Sequence, residues 1–591
     1  MVFRGTRLLF IFSIFFLFLS CDRQKVKESG EVTTPEQQFT EVKAALLEKI
    51  WRLNPEWATS VGYHKYDSEL VIPTPERLEN EVASYRSMLN DLHKINRTNL
   101  SLNNQTDYQM LEDFFNGRIW YATVLKPAEW NPADYNIGGG VAEILNGRYD
   151  SLTNRLRSIS LKIEHVVPYY EAAKNNIKKP TLEHTQLAIL QNKGALTVFD
   201  ELADSIKVAR LKPFEKDFLQ SRIATAKTEI NSYISFLQND ILPTVRKGQG
   251  RSFRIGKELF SQKFKYDIQS GYSAEQVYQK ALQHKDYLHR EMLALTQKLW
   301  PVYFPDEPLT PGLPGVKQLL GKLAEQYVRR DSFLIAIKTQ IPQLVAFVNA
   351  KKLLTQDPTK PLVVRPTPEY MRGIAGASIS APGPYDKSAN TYYNVTPLTH
   401  YNAAEAESYL REYNKYQLQI LNIHEAIPGH YTQLIYANKS PSIIKAVLGN
   451  GAMVEGWAVY SERMMLEQGY GNNAPEMWLT WYKWNMRVTL NAIIDYSIHV
   501  LGMTEKEALA LLVNEGFQEE AEAREKWKRA TLSQVQLSSY FTGYTEIYDL
   551  REEMKKKQGK DFNLKKFHEQ FLSYGSSPVR FIRTLMLKNE N

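Results

Sequence analysis

Two histidines and two glutamates stand close together late in this 591-residue chain. His424 and Glu425 open the run His-Glu-Ala-Ile-Pro-Gly-His that ends at His430, and Glu455 follows in Met-Val-Glu-Gly-Trp-Ala. These are residue types that hold zinc. Neutral imidazoles and one carboxylate make three ligands and leave a fourth position for water. Such a site brings the pKa of that water to about 7. The water's proton then needs an acceptor beside it, and Glu425, next to His424, is the candidate. The same order of groups underlies the HExxH motif: His-Glu, a second His about one helical turn on, then a distant Glu.

The spacing departs from that motif. There the two His lie at i and i+4, on one helical face. Here they lie at i and i+6, which is about 240° round an ideal helix. Pro428 and Gly429 fall between them. Proline removes a helical hydrogen bond and clashes with the carbonyl four residues back, at His424. A metal site therefore requires a distorted or interrupted helix that brings His430 round again. A plain helix end at Pro428-Gly429 also fits the spacing.

HEAIPGH followed by EGWAVYSE resembles the DUF885 family of bacterial proteins, which carries HE-x-x-PGH and then an EGWA-like segment. The likeness runs along most of the chain. It includes NPEWATSVGYHKYD at 54–67, the stretch from MRVTLNAIIDYSIHVLGM to LSSYFTGYTEIYDLRE, and FNLKKFHEQFLSYGSSPV near the end. It implies one mainly α, zincin-like metallopeptidase fold with a small β-sheet beside the active-site helix. It implies zinc held by His424, His430 and Glu455, with Glu425 as general base. It further implies His499 and Tyr540 as donors to a developing oxyanion and Arg529 as a binder of a substrate carboxylate. The strand TYYNV, with Tyr392, Tyr393 and Asn394, is placed along the substrate cleft. Many members have a second His after PGH; this chain has Tyr431 there.

The N-terminus reads as an address. Arg4 and Arg7 precede an apolar run from Leu8 to Leu19, the layout of a secretory signal over residues 1–20. The run ends in Phe18-Leu19-Ser20-Cys21, which resembles a bacterial lipoprotein box. Cys21 is the only cysteine in the chain, so an exported protein would carry no disulfide and no thiol besides the one to be acylated. Residues 21–38 are polar and read as a lipidated flexible tether. The expected location is the cell envelope, with a membrane anchor at Cys21. The formal net charge of +8 is spread along the chain with no nucleic-acid motif, so no nucleic-acid partner is expected.

Residues 39–591 read as a single catalytic domain. Apolar residues recur at helical spacing from 39 to about 350 and again after 402. Ser273-Ala-Glu-Gln has the form of a capping box. Residues 252–268 resemble a junction between lobes, and the Pro- and Gly-rich stretch at 300–315 is a second place where two helical lobes divide. The one β-like region is 361–398, where an edge strand would pair with an extended peptide. His64 reads as a loop or packing residue. Glu462 either orients a ligand His or lies on the surface. The function expected is zinc-dependent hydrolysis of peptide bonds. Hydrolysis of a non-peptide amide on the same scaffold and a non-catalytic surface-binding lipoprotein are the alternatives.

Overall fold

The computed structural model describes residues 34–367, 376–386 and 390–588. The expected signal peptide, Cys21 and most of the tether lie outside the described residues. The tether ends sooner than residue 38, because a helix already spans Pro35–Leu53. The Thr34 side chain accepts from the Gln37 amide and Gln37 returns a bond to the Thr34 amide, with proline at the first helical position. That closes two of the amides a helix start leaves unpaired.

The chain is mainly α-helical, with one small sheet. Its helices gather round three main cores. The first joins Pro35–Leu53, Pro75–His93 and Leu102–Trp120 through Phe39, Ile50, Trp51, Tyr85 and Phe115. His64 sits at its side, stacked on Tyr149 with ring centroids 3.3 Å apart and paired with Asp67, far from any metal-binding role. The second is built on the helices Leu182–Val208 and Pro213–Phe236 and includes Tyr170, Phe199 and Tyr233. The third and largest begins at Ile255 and runs to Met586. The change of core before Ile255 falls at the junction expected from residues 252–268.

The stretch at 300–315 does not divide lobes. Leu299, before it, and Leu319, after it, lie in the same core. Trp300 ties the loop down by donating its indole N–H to the Glu307 carbonyl at 3.0 Å. Proline and glycine here only let the chain turn between the helices Ala274–Tyr303 and Gly312–Leu323. The capping box at Ser273 is present, with Gln276 as its partner.

The sheet has three strands: β1 (Leu362–Pro366), β2 (Ala377–Ser380) and β3 (Thr391–Val395), in the order β1-β3-β2. β3 runs parallel to β1 and antiparallel to β2. The strand expected along the cleft is therefore the central one. Its amides and carbonyls are taken by both neighbours, so it has no free edge for a peptide. The Tyr393 ring is fully buried and its hydroxyl donates to Asn422 at 2.9 Å. Asn394 accepts from Arg365 and donates to Ser380, and Tyr392 lies under the Arg365 guanidinium. Tyr392, Tyr393 and Asn394 support the sheet and do not line the cavity beside His424. The strand that borders the cavity is β2, an edge strand.

The helix Ile443–Val447, far along the chain, is pinned into the first core by a buried charge cluster. Asp107 is fully buried and accepts from Lys43 at 2.9 Å, from Ser442 at 2.7 Å and from Lys445. Lys445 lies on the short helix Ile443–Val447 that precedes the Glu455 segment. Removing one member of a buried pair leaves the other charge uncompensated, at a cost of about 3–5 kcal/mol. Asp107→Ala is expected to lower the unfolding free energy measured by urea titration by that order, and with it the midpoint, and adding Lys445→Met should recover much of the loss. An unchanged midpoint in Asp107→Ala would show that the cluster contributes nothing to stability.

Candidate metal centre

The spacing of six between His424 and His430 is accommodated by two helices, not by one distorted helix. The first, Gln417–Glu425, stops at Glu425. The amides of Ala426 and Ile427 both turn back to the Asn422 carbonyl, at 3.0 and 3.2 Å. The Gly429 amide reaches the Ile423 carbonyl at 3.0 Å, and the second helix, His430–Ala437, begins at the next residue. Ile427–Pro428 is a cis peptide bond. Gly429 passes so close to the first helix that a Cβ there would sit 1.9 Å from the His424 carbonyl oxygen. Only glycine fits, and this is what lets the second histidine fold back beside the first. The Trp457 indole N–H donates to the Pro428 carbonyl at 2.8 Å, which ties the turn to the helix Gly451–Glu467.

That third helix brings Glu455. The His424 and His430 rings meet edge to face, 4.8 Å between centroids and 89° between planes. Their Nε2 atoms lie 3.8 and 3.5 Å from Glu455 Oε2. At a tetrahedral zinc with bonds of about 2.0–2.2 Å, neighbouring ligand atoms stand roughly 3.4 Å apart. Two imidazoles and one carboxylate at these separations fit such an ion in both donor type and spacing.

Two turns beyond Glu455, on the same helical face, lies Glu462. It is fully buried, which removes the surface alternative. His424 Nδ1 lies 2.6 Å from Glu462 Oε1, and the indoles of Trp481 and Trp484 donate to the same carboxylate at 3.1 Å each. With Nδ1–H held by Glu462, the Nε2 lone pair of His424 points to the Glu455 side. The i, i+7 relation of Glu455 and Glu462 was the signal in the sequence for this role.

Their partners, not their burial, separate the two carboxylates in the cavity. Burial opposes a charged His424, but the Glu462 hydrogen bond and the Glu425 and Glu455 carboxylates outweigh it and hold its imidazole up at about 9. Burial also raises Glu425 above the usual carboxylate range, with Glu455 and Glu462 adding to it and the two imidazoles opposing. Burial pushes Glu455 the same way, but hydrogen bonds from His430 and Tyr540 and the imidazole charges bring it below its ordinary value. One carboxylate is thus suited to take up a proton and the other to stay ionised, the pattern expected of a base beside a ligand.

The four residues open into a cavity of about 830 Å³. β2 and Gly376 line it, as do Tyr540 and Arg529. Tyr540 accepts from Arg529 at 3.0 Å and lies close enough to Glu455 for each to shift the other's proton affinity. It stands on the helix Ser538–Gln558, which packs on the Glu455 helix at unusually short range. A Cβ on Gly543 would lie 1.7 Å from the Ala452 carbonyl oxygen, and one on Gly456 would lie 2.3 Å from the Gly543 carbonyl carbon. These glycines let the backbones touch and bring Tyr540 within reach of Glu455.

His499 does not reach the cavity. It is buried in the core, with Nε2 on the Ala530 carbonyl at 2.9 Å and its ring packed against Phe253 and Phe260. Asp495, one turn away, accepts from the Val535 amide, the Ser538 amide and the Ser538 hydroxyl. The pair braces the segment between Arg529 and Tyr540 and touches no reacting group. Tyr431, where a second His was noted in relatives, donates its hydroxyl to the Lys360 carbonyl and anchors the chain just before β1. The structure therefore brings together His424, Glu425, His430, Glu455, Tyr540 and Arg529. It joins Glu462 to them through His424, and adds Arg487 and Lys526, which sequence reasoning did not single out.

Comparison with known proteins places the fold. No curated protein matches the chain. A solved structure from Shewanella oneidensis, described as a "putative lipoprotein of unknown function", is 51% identical with a TM-score of 0.85, over 93% of this chain and 99% of that one. A second, the "putative lipoprotein" from Colwellia psychrerythraea, is 17% identical with a TM-score of 0.77, over 94% of this chain and 100% of that one, and shares the fold. The family model described as bacterial protein of unknown function (DUF885) matches residues 55–586, so this chain belongs to the DUF885 family.

Proposed function

We propose that the protein is a zinc-dependent peptidase of zincin-like architecture, exported and anchored to the cell envelope by a lipid on Cys21. The observation that carries the reading is the convergence of His424, His430 and Glu455 on one point of a cavity, with the His424 ring fixed by the buried Glu462. The anchor is supported by the lone cysteine at the end of the apolar run and by the solved lipoproteins that the chain resembles.

A zinc ion held by these three residues supplies a Lewis acid for the scissile carbonyl and lowers the pKa of water. Glu425, beside His424 and facing the cavity, takes the proton from the attacking water and passes it to the leaving nitrogen. Its raised affinity for a proton suits both halves of that task. Glu462 keeps His424 in the tautomer that leaves Nε2 free. Tyr540, whose hydroxyl already lies beside Glu455, is the donor available to the carbonyl oxygen as charge builds on it. β2 offers main-chain groups on an edge beside the cavity, the arrangement that binds an extended peptide without regard to its side chains.

Purified residues 22–591 are expected to contain about one zinc per chain by elemental analysis. His424→Ala and His430→Ala should each lose it. No metal in the wild-type protein, even after zinc is supplied, would leave a non-catalytic binding lipoprotein as the better reading. Glu425→Gln should keep its zinc and lose about 10²–10⁴-fold in kcat, the scale of a lost general base. Full hydrolysis by a zinc-loaded Glu425→Gln protein would overturn the mechanism. A substrate screen that found turnover only of non-peptide amides would move the chemistry to that class. Glu462→Gln keeps the shape of the side chain but removes its charge. It should weaken zinc about 10–100-fold in a chelator competition, and an unchanged affinity would show that the His424–Glu462 bond has no bearing on the site.

A further inference from the structure

Four lysines are buried among the described residues: Lys162, Lys263, Lys445 and Lys526. Three have acceptors in the protein. Lys162 donates to the Glu69 carbonyl at 2.7 Å, Lys263 pairs with Asp267, and Lys445 pairs with Asp107. Lys526 is 5% exposed and makes no hydrogen bond or ion pair with any described residue. It is also the one that lines the candidate active-site cavity.

Its surroundings add to its charge. Lys526 lies on the helix Glu520–Ser533, where Glu522, Lys526 and Arg529 recur at i, i+4 and i+7 and so share a face. Glu522, one turn before Lys526, is engaged by Arg487 from the helix Pro475–Tyr496. Arg529 donates only to neutral groups, Gln536 at 2.9 Å and Tyr540 at 3.0 Å. Arg487, Lys526 and Arg529 thus line the cavity together, and its two carboxylates, Glu425 and Glu455, are engaged with the histidines. Burial, and then the neighbouring Arg487, depress the basicity of Lys526 well below that of an ordinary lysine, which measures how poorly the protein alone compensates it. An ammonium held this way is costly unless something else supplies the opposite charge.

We propose that Lys526, with Arg529 and Arg487 beside it, binds the free C-terminal carboxylate of a peptide and makes the site that of a carboxypeptidase. The cleavage part of this inference rests on the peptidase reading; the binding part does not. The geometry sets the scale. Arg529 lies 3.0 Å from the Tyr540 hydroxyl, and Tyr540 neighbours the metal-ligand candidate Glu455 in the same cavity. Two polar contacts in series span roughly 6 Å. A peptide advances about 3.3–3.6 Å per residue. A carboxylate on this wall therefore lies one or two residues from a scissile bond at the metal centre. In cleavage, water adds to the carbonyl, the C–N bond breaks, and the water's proton passes through Glu425 to the departing amine. The released piece is one amino acid or a dipeptide that keeps its own carboxylate.

The test uses three N-acetylated tetrapeptides: a free acid with neutral side chains, its C-terminal amide, and an amide ending in Glu. Binding is measured by calorimetry to the zinc-supplied Glu425→Gln protein, and products are read by mass spectrometry with the wild type. The free acid should bind at least 30-fold more tightly than its amide, and the wild type should release one or two C-terminal residues from it. Adding Lys526→Met should reduce the acid to the affinity of the amide with zinc content unchanged, and Lys526→Arg should restore part of the preference. Arg529→Gln, at the exposed rim of the same wall, should lower the acid's affinity without disturbing the core. Equal binding of acid and amide, or an acid preference that survives Lys526→Met, overturns the subsite. Tight binding of the Glu-ended amide overturns the carboxypeptidase assignment in favour of an acidic side chain. An acid preference without any cleavage upholds the carboxylate site and fails the peptidase reading alone.

Discussion

The candidate metal centre depends on a carboxylate buried out of reach of water. Glu462 has no exposed surface, and a bare carboxylate there would be prohibitive. It is tolerated because its oxygens receive bonds from His424 Nδ1, Trp481 and Trp484. Meeting that demand fixes much else. The helix Gly451–Glu467 must press against both Gln417–Glu425, which carries His424, and Pro475–Tyr496, which carries the two tryptophans. Once Glu462 is seated, Glu455, two turns earlier on the same face, is aimed at the histidines. One interaction thus selects the tautomer of one ligand and the direction of another.

Backbone proximity, rather than side-chain packing, sets the remaining distances. Gly429 folds the His430 helix against the His424 carbonyl, and the Gly456–Gly543 crossing seats Tyr540 beside Glu455. At both places any side chain would drive the backbones apart by more than an ångström and carry a metal ligand or its neighbour with it. Asp495 and His499 act one layer further out. They hold the ends of the segment between Arg529 and Tyr540 through its amides and the Ala530 carbonyl. Their place in a stretch that resembles the family follows from what they position.

The parts of this arrangement that were legible in the sequence are those encoded by residue type and local order. The helical content and the capping box at Ser273 could be read from spacing and motif, and the family resemblance pointed to the grouping of His424, Glu425, His430 and Glu455. The mainly α fold with a small sheet at 361–398 could be read in the same way. What could not be read depends on pairing between distant segments. TYYNV has the composition of a strand, but only the β1-β3-β2 order makes it central and passes the cavity edge to β2, whose sequence Ala-Ser-Ile-Ser carries little strand signal. The Pro- and Gly-rich loop near 305 looked like a boundary because composition reports the local break, while core membership depends on which helices pack across it. His499 shared a helical face with Asp495 as expected, yet that face turned out to meet Ala530 and not the cavity.

The cavity is electrostatically incomplete at both ends, in opposite senses. At one end Glu425 and Glu455 crowd two imidazoles, and the histidine nearest the buried Glu462 is driven to hold a proton up to about 9. At the other, Lys526 is buried without an anion and Arg529 spends its donors on neutral groups. A structural core resolves such imbalances internally, as Asp107 does for Lys43 and Lys445. Here the imbalances sit on the walls of one cavity, linked through Tyr540, and each is the complement of a ligand. A divalent cation satisfies the first and a carboxylate the second. On the proposed reading a peptide bearing its own C-terminus bridges them, so the strain of the free protein becomes the selectivity of the bound one.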